Sequence, residues 1–328
     1  MRLSVIIPVY NGGKTLSCCL QALCESTLQP AEIIVVDDSS ADDSAAIARR
    51  FAVRVLTLTG GPSGPAAARN RGVAIATGDV LAFIDADIAV HADTLARIVQ
   101  CLRAEPDIVA LFGSYDTNPP VATLVSRYKN LMHHYVHQRS NTEASTFWTG
   151  CGAIYRDKFL AMGGLDESFI TIEDIELGVR LRRAGQRIRL CHDLQVTHLK
   201  HWTFAGLLRE DILRRAVPWT RLILRESHLP ADLNVDAGSR VSALAAWVLL
   251  GCLVVGLWAP WLWLGAVVAA AVVVAINLEL YRFFAKYGTM PFILGAIALH
   301  VLYLLYSSVT FAAIVAWEKV VGGSRLAR

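Results

Sequence analysis

From Val241 to Leu278 the sequence contains no charged side chain, and from Phe292 to Trp317 it again contains none, while Asp, Glu, Lys and Arg crowd the first 240 positions. A single soluble domain with an ordinary surface is therefore excluded as a description of the whole chain. Cysteine is sparse too. The seven residues at 18, 19, 24, 101, 151, 191 and 252 form no C-x-x-C pair, which argues against a zinc site or a disulfide framework and fits a reducing compartment. A net charge of +3 is small, and no nucleic-acid partner is expected from it. There is no internal repeat and no low-complexity tract. The N-terminal apolar run Leu3–Val9 is short, holds Pro8 and leads into a polar motif, so it does not read as a signal peptide.

Two nucleotide-binding motifs are also missing. A phosphate-binding P-loop needs glycine where Pro8 stands, and Asn11-Gly12-Gly13 does not supply the G-x-G-x-x-G of a dinucleotide fold. A dehydrogenase is thereby disfavoured.

What is present begins with alternation. Leu3–Val9, Glu32–Asp38, Val53–Leu58 and Val80–Ile84 are short β-branched runs. Lys14–Ser26, Ser44–Phe51 and Ala66–Ala76 between them are compatible with helices. Strand and helix in turn predict an α/β fold with a mostly parallel sheet covered on both faces. Farther on, the pattern predicts a helix near 91–104, a strand near 108–114, a long polar and aromatic stretch over 115–148, helices near 156–162 and 173–184, and short strands at Arg187–Leu190 and Leu194–Val196. Leu207–Leu224 is amphipathic and suits a membrane surface, and the Arg-rich region 180–225, with Lys200, suits anionic lipid or phosphate. A bilayer core about 30 Å thick needs ~20 helical residues, which predicts spans near 241–258, 261–279 and 292–316, the first two separated by Ala259-Pro260-Trp261. Trp258, Trp261 and Trp263 suit a membrane boundary. The expected organisation is thus a domain over 1–204, an interfacial linker over 205–240, a membrane region over 241–318 and a tail over 319–328.

In open α/β sheets ligands collect at the carboxyl ends of strands, where Asp37, Asp38, Asp85 and Asp87 all lie. Asp85-Ala86-Asp87 offers hard oxygen donors suited to Mg²⁺ or Mn²⁺ on a diphosphate. Asp37 and Asp38 could accept from a ribose hydroxyl or base N–H, or cap a helix with Ser39 and Ser40. Arg69 and Asn70 could assist the ligand or simply solvate their helix. Glu173-Asp174 opens a helix, where negative charge is favourable in itself, and follows the flexible loop Gly163-Gly164-Leu-Asp-Glu-Ser-Phe. An acid so placed could act as general base.

Six segments in order resemble the family 2 glycosyltransferases. They are Ser4-Val-Ile-Ile-Pro-Val-Tyr-Asn, Val36-Asp-Asp-Ser-Ser, Ala68-Arg-Asn-Arg-Gly, Phe83-Ile-Asp-Ala-Asp, Gly163-Gly-Leu-Asp-Glu and Glu173-Asp174, within a resemblance covering about residues 3–200. The resemblance implies the GT-A fold, a nucleoside-diphosphate sugar donor, a UDP-sugar foremost, and inversion at the anomeric carbon. It places Pro8, Tyr10 and Asp38 at the nucleotide, with Asn11, Asp37, Arg69, Asn70 and Ala86 also on the donor side. Asp85 and Asp87 would hold the metal and the donor's diphosphate, Asp85 counting with the donor-binding residues as well, His198 would be a further metal ligand with His201 competing for the role, and Asp174 would be the base. Trp148, Gly150, Glu173 and Trp219 are grouped with the acceptor. Processive relatives such as cellulose and hyaluronan synthases carry Q-x-x-R-W. Here the comparable Arg214-Arg-Ala-Val-Pro-Trp219 lacks the glutamine, which favours a single hexosyl transfer to a lipid acceptor in cell-envelope glycolipid synthesis over polymer extrusion. Such an enzyme would sit in the inner or plasma membrane, multi-pass, with its catalytic domain in the cytoplasm. A non-catalytic nucleotide-sugar-binding protein would bind donor without turning it over, and a transporter would need more polar residues in the spans than Asn277, Glu279, His300 and Ser307-Ser308.

Overall fold

A computed structural model describes residues 1–225 and 237–325. The chain divides into two compact units, the first comprising 1–122 and 129–201, the second 123–128 and 202–328.

The first unit is built on a nine-stranded mixed sheet in the order β3 (Arg54–Thr57), β2 (Glu32–Asp37), β1 (Leu3–Val9), β4 (Val80–Ile84), β8 (Cys151–Tyr155), β6 (Ile108–Tyr115), β9 (Arg187–His198) and β5 (Ile88–Val90), with β7 (Glu143–Ala144) paired to β9. Its first half is parallel, as the alternation predicts: β1 (Leu3–Val9) lies between β2 (Glu32–Asp37) and β4 (Val80–Ile84), and β3 (Arg54–Thr57) extends the edge. The second half runs both ways. β8 (Cys151–Tyr155) is antiparallel to β4 and to β6 (Ile108–Tyr115), β6 is parallel to β9 (Arg187–His198), and β5 (Ile88–Val90) and β7 (Glu143–Ala144) are antiparallel to β9. The two short strands expected at 187–190 and 194–196 are thus one strand with an irregularity between them.

Side-chain alternation explains the layering. Val5, Ile7 and Val9 face one core, which α1 (Leu16–Cys24), α2 (Ser44–Ala48) and α4 (Thr94–Ala104) cover, whereas Ile6, Ile34, Val36 and Phe83 face the other. That second core is closed by α3 (Pro65–Ile75), α6 (Arg156–Ala161) and α7 (Glu173–Arg183). Phe83 and Phe159 meet there with ring centroids 5.5 Å apart. Burying each such ring contributes about 1.5–3 kcal/mol. α3 starts where Pro65, whose missing N–H costs nothing at a helix's first position, follows Gly64. α7 carries Glu173, Asp174 and Glu176 in its first turn and Arg180, Arg182 and Arg183 in its last, matching the helix dipole at both ends. The stretch 115–148 departs from its sequence reading, because it contains the 16-residue helix α5 (Leu124–Arg139).

The second unit is helical. α8 (Phe204–Arg209), capped by the Thr203 hydroxyl accepting from Gly206 N–H at 3.0 Å, runs through a π-helical turn (Glu210–Ala216) into α9 (Val217–Arg225). Pro218 accounts for the wide turn, since it offers no N–H to Arg214 and its ring crowds that carbonyl. α10 (Ala237–Val255) and α13 (Met290–Arg325) are each long and apolar enough to cross a bilayer, over Gly238–Val255 and Met290–Val320. The middle apolar segment differs from the expected single span. It breaks at Asn277 into α11 (Leu262–Ile276) and α12 (Leu278–Tyr287), bent by 74°. Asn277 donates to the Val273 carbonyl at 2.9 Å and to Ser242 Oγ at 2.8 Å, bonds that compete with continuation of the helix. α13 also continues to Arg325, through most of the expected tail. Part of the expected linker, 226–236, lies outside the described residues.

Candidate active site

The strand ends carry the acids, and the loops after them hold each other. Asn11, left-handed at φ 52°, accepts from the Ala41 N–H at 2.8 Å and donates its own N–H to Ser40 Oγ at 2.9 Å, tying the end of β1 to the loop after β2. Asparagine tolerates that conformation better than most residues. Pro8 lies in β1 opposite Val36, Tyr10 just beyond it is 53% exposed, and Ala86 is half-buried. Asp37 and Asp38 are both buried. Asp38 accepts from Ser63 N–H at 2.9 and 3.1 Å and from Gly64 N–H at 2.8 Å, so its carboxylate anchors the glycine-rich loop that enters α3.

Arg69 joins the acids of two distant motifs. It is 3% exposed and donates to Asp85 Oδ1 at 2.6 Å and to Glu173 Oε1 at 2.7 Å. Burial alone would lower its affinity for a proton, but Asp85 and Glu173 outweigh that and hold it above the ordinary arginine range. One guanidinium does not balance the carboxylates around it. Burial raises the Glu173 carboxyl to about 7 against the pull of Arg69, with Asp174 adding to the rise. Burial likewise raises the Asp85 carboxyl against Arg69, and the neighbouring Asp87 reinforces it.

Asp174 lies beside this group on the first turn of α7. Its Oδ2 accepts from Thr149 N–H at 3.1 Å and Thr149 Oγ1 at 3.2 Å, and its Oδ1 from Ile175 N–H at 2.8 Å. Thr149 is followed by Gly150, whose carbonyl accepts from the Asp85 N–H at 3.1 Å, so the same loop touches both acidic motifs. Ile172, immediately before the helix, is left-handed at φ 62° and 7% exposed. For a β-branched residue this is a strained conformation, held by the packing around it.

Asp87 and His198 form the other side. His198 Nε2 lies 3.6 Å from Asp87 Oδ2, and its ring stacks on Tyr115 at 4.2 Å between centroids. Burial pushes the Asp87 carboxyl up, and His198 with Lys200 outweighs it, holding the group below the usual range. Two hard carboxylates with an imidazole, in a cluster with more acid than base, fit a divalent cation by donor chemistry. Among the described residues no three His, Cys, Asp or Glu side chains already converge as a metal cage, since Asp85 is turned onto Arg69.

The remaining expected residues fall as follows. Asn70 clamps the loop before α7 by exchanging bonds with Leu165, accepting at 3.0 Å and donating at 2.8 Å. Trp148 packs edge-on against Tyr115 at 5.0 Å and near His137 at 5.3 Å, in the same aromatic group as His198. Trp219 belongs to the second unit, half-buried on α9. Thr149 and Tyr115 are partners the sequence reading does not single out. A threonine and a strand tyrosine carry no spacing signal.

A mixed α/β sheet with its acids at the strand ends, a buried arginine between two of them and a carboxylate on a strained helix start defines a group-transfer enzyme rather than a dinucleotide oxidoreductase. Residues 4–163 match the family described as Glycosyl transferase family 2, so the chain carries a family 2 glycosyltransferase domain. It is 38% identical over 110 residues to the uncharacterized glycosyltransferase YibD of Escherichia coli, covering 33% of this chain and 32% of that protein. It is 28% identical over 263 residues to the glycosyltransferase AglE of Haloferax volcanii, covering 76% of this chain and 81% of that one. The fold is GT-A. A mannosyltransferase of Pyrobaculum calidifontis, PcManGT, solved in complex with GDP-Man and Mn²⁺, superposes with a TM-score of 0.59 at 22% identity over 95% of this chain and 87% of that one.

Proposed function

We propose that the enzyme moves a sugar from a nucleoside-diphosphate sugar to a hydroxyl of a lipid acceptor, with inversion, at the inner or plasma membrane. The observation that carries this reading is the Arg69 bridge, which joins Asp85 to Glu173 and thereby brings the β4 acids beside Asp174. The nucleotide-sugar and Mn²⁺ complex of PcManGT supports the donor class and a divalent cation, and the two long apolar helices support a membrane acceptor and a multi-pass anchor. The catalytic unit faces the cytoplasm, where nucleotide sugars are made.

Asp85, Asp87 and His198 would hold the cation, which when bound supplies neutralising charge to the diphosphate. Asp174 accepts the proton of the acceptor hydroxyl, whose oxygen forms the new bond to the anomeric carbon as the bond to diphosphate breaks. Thr149 fixes the Asp174 rotamer for that transfer, and Arg69 keeps Asp85 and Glu173 from repelling one another. Asp38 contributes by positioning the Ser63–Gly64 backbone on the donor side.

The test is turnover of UDP- and GDP-sugars by the purified full chain with membrane lipid extract, wild type against Asp174→Asn. The expected outcome is a lipid-linked product from one donor and a loss of at least ~100-fold in kcat in the variant, in line with the usual worth of a general base. A variant turning over at the wild-type rate removes Asp174 from the base role. A failure to consume any nucleotide sugar overturns the reading.

A further inference from the structure

Away from the strand-end acids, on the side of the sheet covered by α4, two cysteines ninety positions apart in sequence meet. Cys101 Sγ of α4 lies 3.2 Å from Cys191 Sγ of β9, and both are free thiols. Among the described residues this is the one sulfur–sulfur contact, and no role in sugar transfer uses it. The backbone around Cys191 is irregular. Phe112 pairs with Leu190 and Ser114 with Gln195, so residues 191–194 bulge opposite Gly113 alone. The bulge leaves residues 191–194 out of the pairing with β6, so no ladder register opposes the small movement that takes two touching sulfurs to the bonded separation of about 2.0 Å.

The chemistry of the pair is asymmetric. Cys101 is half-buried and within reach of solvent, whereas Cys191 is 6% exposed. The hydrogen bond between the two thiols, with Arg189 beside them, holds the Cys101 thiol down to about 7, and the same hydrogen bond and burial push Cys191 up. The accessible sulfur is therefore the nucleophile and the buried one the resolving thiol, the usual arrangement of an oxidisable pair.

We propose that Cys101 and Cys191 form a reversible disulfide that ties α4 to the bulge of β9. With a hydroperoxide as oxidant, the Cys101 thiolate attacks the peroxide oxygen, the O–O bond breaks, and sulfenic acid and one molecule of water or alcohol form. Cys191 then attacks the sulfenyl sulfur, the S–S bond forms, and the hydroxyl leaves with the remaining thiol proton as water. Two thiols lose two electrons and the peroxide gains them. A thiol reductant such as glutathione reverses the step. The cross-linked strand is the one that ends in His198, so the modification acts on an element shared with the active site.

The experiment uses the full chain in detergent, reduced, freed of reductant and treated with hydrogen peroxide. Remaining thiols are then alkylated under denaturing conditions and the peptides mapped by mass. The expected result is a fall from seven alkylatable cysteines to five, with an intramolecular Cys101–Cys191 peptide that dithiothreitol abolishes. The oxidised chain should also melt several degrees higher, because the bond closes a long loop in the unfolded state. In Cys191→Ser a dimedone adduct should accumulate on Cys101. Retention of all seven thiols, or oxidation of exposed Cys18 and Cys24 with Cys101 and Cys191 still alkylated, overturns the proposal. The readout is covalent, so it stands or falls apart from any sugar transfer.

Discussion

At the scale of single residues, Arg69 is the side chain on which the cleft depends. It is buried between two carboxylates, so replacing it by methionine leaves the buried Glu173 and the partly exposed Asp85 facing each other without a counter-charge. Removing one partner of a buried ionic group costs about 3–5 kcal/mol. Arg69→Met should therefore lower the unfolding free energy obtained from urea titration by that amount, and Arg69→Lys, which keeps the charge and loses the fork, should recover only part of it. Equal stability of all three forms would mean that the bridge contributes nothing. Glu173 gives a second handle. Its folded carboxyl is raised from 4.5 to about 7, so the fold prefers it protonated. The corresponding stability is fully present below pH ~4.5 and is lost as pH rises through ~7, a change of about 3 kcal/mol at 1.36 kcal/mol per unit. Urea unfolding from pH 5 to 8 should show wild type losing stability relative to Glu173→Gln as pH increases. A constant difference across that window would contradict the raised value.

At the scale of elements, α7 is where packing and chemistry meet. A Cβ on Gly178 would stand 2.3 Å from the Phe147 nitrogen and 2.5 Å from the Thr146 carbonyl carbon, both backbone atoms. Helix propensity alone says that Gly→Ala stabilises by about 1 kcal/mol. The contact reverses the sign, since forced overpacking costs about 1–3 kcal/mol. Gly178→Ala should lower the melting temperature, and by moving α7 off the loop that carries Thr149 it should also lower turnover of the same preparation. A rise in melting temperature would show that α7 is not seated as described. The parallel half of the sheet and its acids were legible in the sequence because continuous apolar runs end in polar motifs, as at Val80–Asp87. α5 was not. Its buried face mixes Tyr128 and Leu131 with Ser126, Lys129, Asn130 and His134, so polar residues mask the apolar pattern of the helix. Nor could spacing disclose that Arg69 meets Glu173 across 104 positions, or that Asp38 spends its oxygens on Ser63 and Gly64, because those pairings exist only once the strands are ordered. The bend at Asn277 was hidden for a related reason. An apolar run reports burial in lipid or core, and a single amide within it decides where the helix stops.

At the scale of the whole molecule, the exposed apolar surface of the second unit lies on helices long and apolar enough to cross a membrane. On α10 alone Leu244, Trp247, Val248, Val254 and Val255 are each more than 40% exposed, and α11 adds Leu264, Val267 and Val268. Soluble monomers seldom expose a contiguous apolar patch beyond a few hundred Å², whereas these side chains stand exposed along two helices packed on one another. Polar groups on these helices bond one another, as where Trp247 donates to Ser308 at 3.0 Å and Tyr281 bonds His300 at 2.9 Å, which is what a hydrocarbon environment favours. The consequence is a substitution whose cost depends on the surroundings. Val248 is 48% exposed near the middle of α10, and Leu160 is 48% exposed on α6 of the first unit. In water an arginine at either site would change stability by no more than about 0.5 kcal/mol. At the centre of a bilayer-spanning helix it costs about 2.5–3.5 kcal/mol. Val248→Arg should therefore shift the chain out of the fraction that resists alkaline carbonate extraction, while Leu160→Arg leaves that fraction as it was. Equal behaviour of the two variants would mean that α10 meets water, and the lipid acceptor would then lose its main structural support.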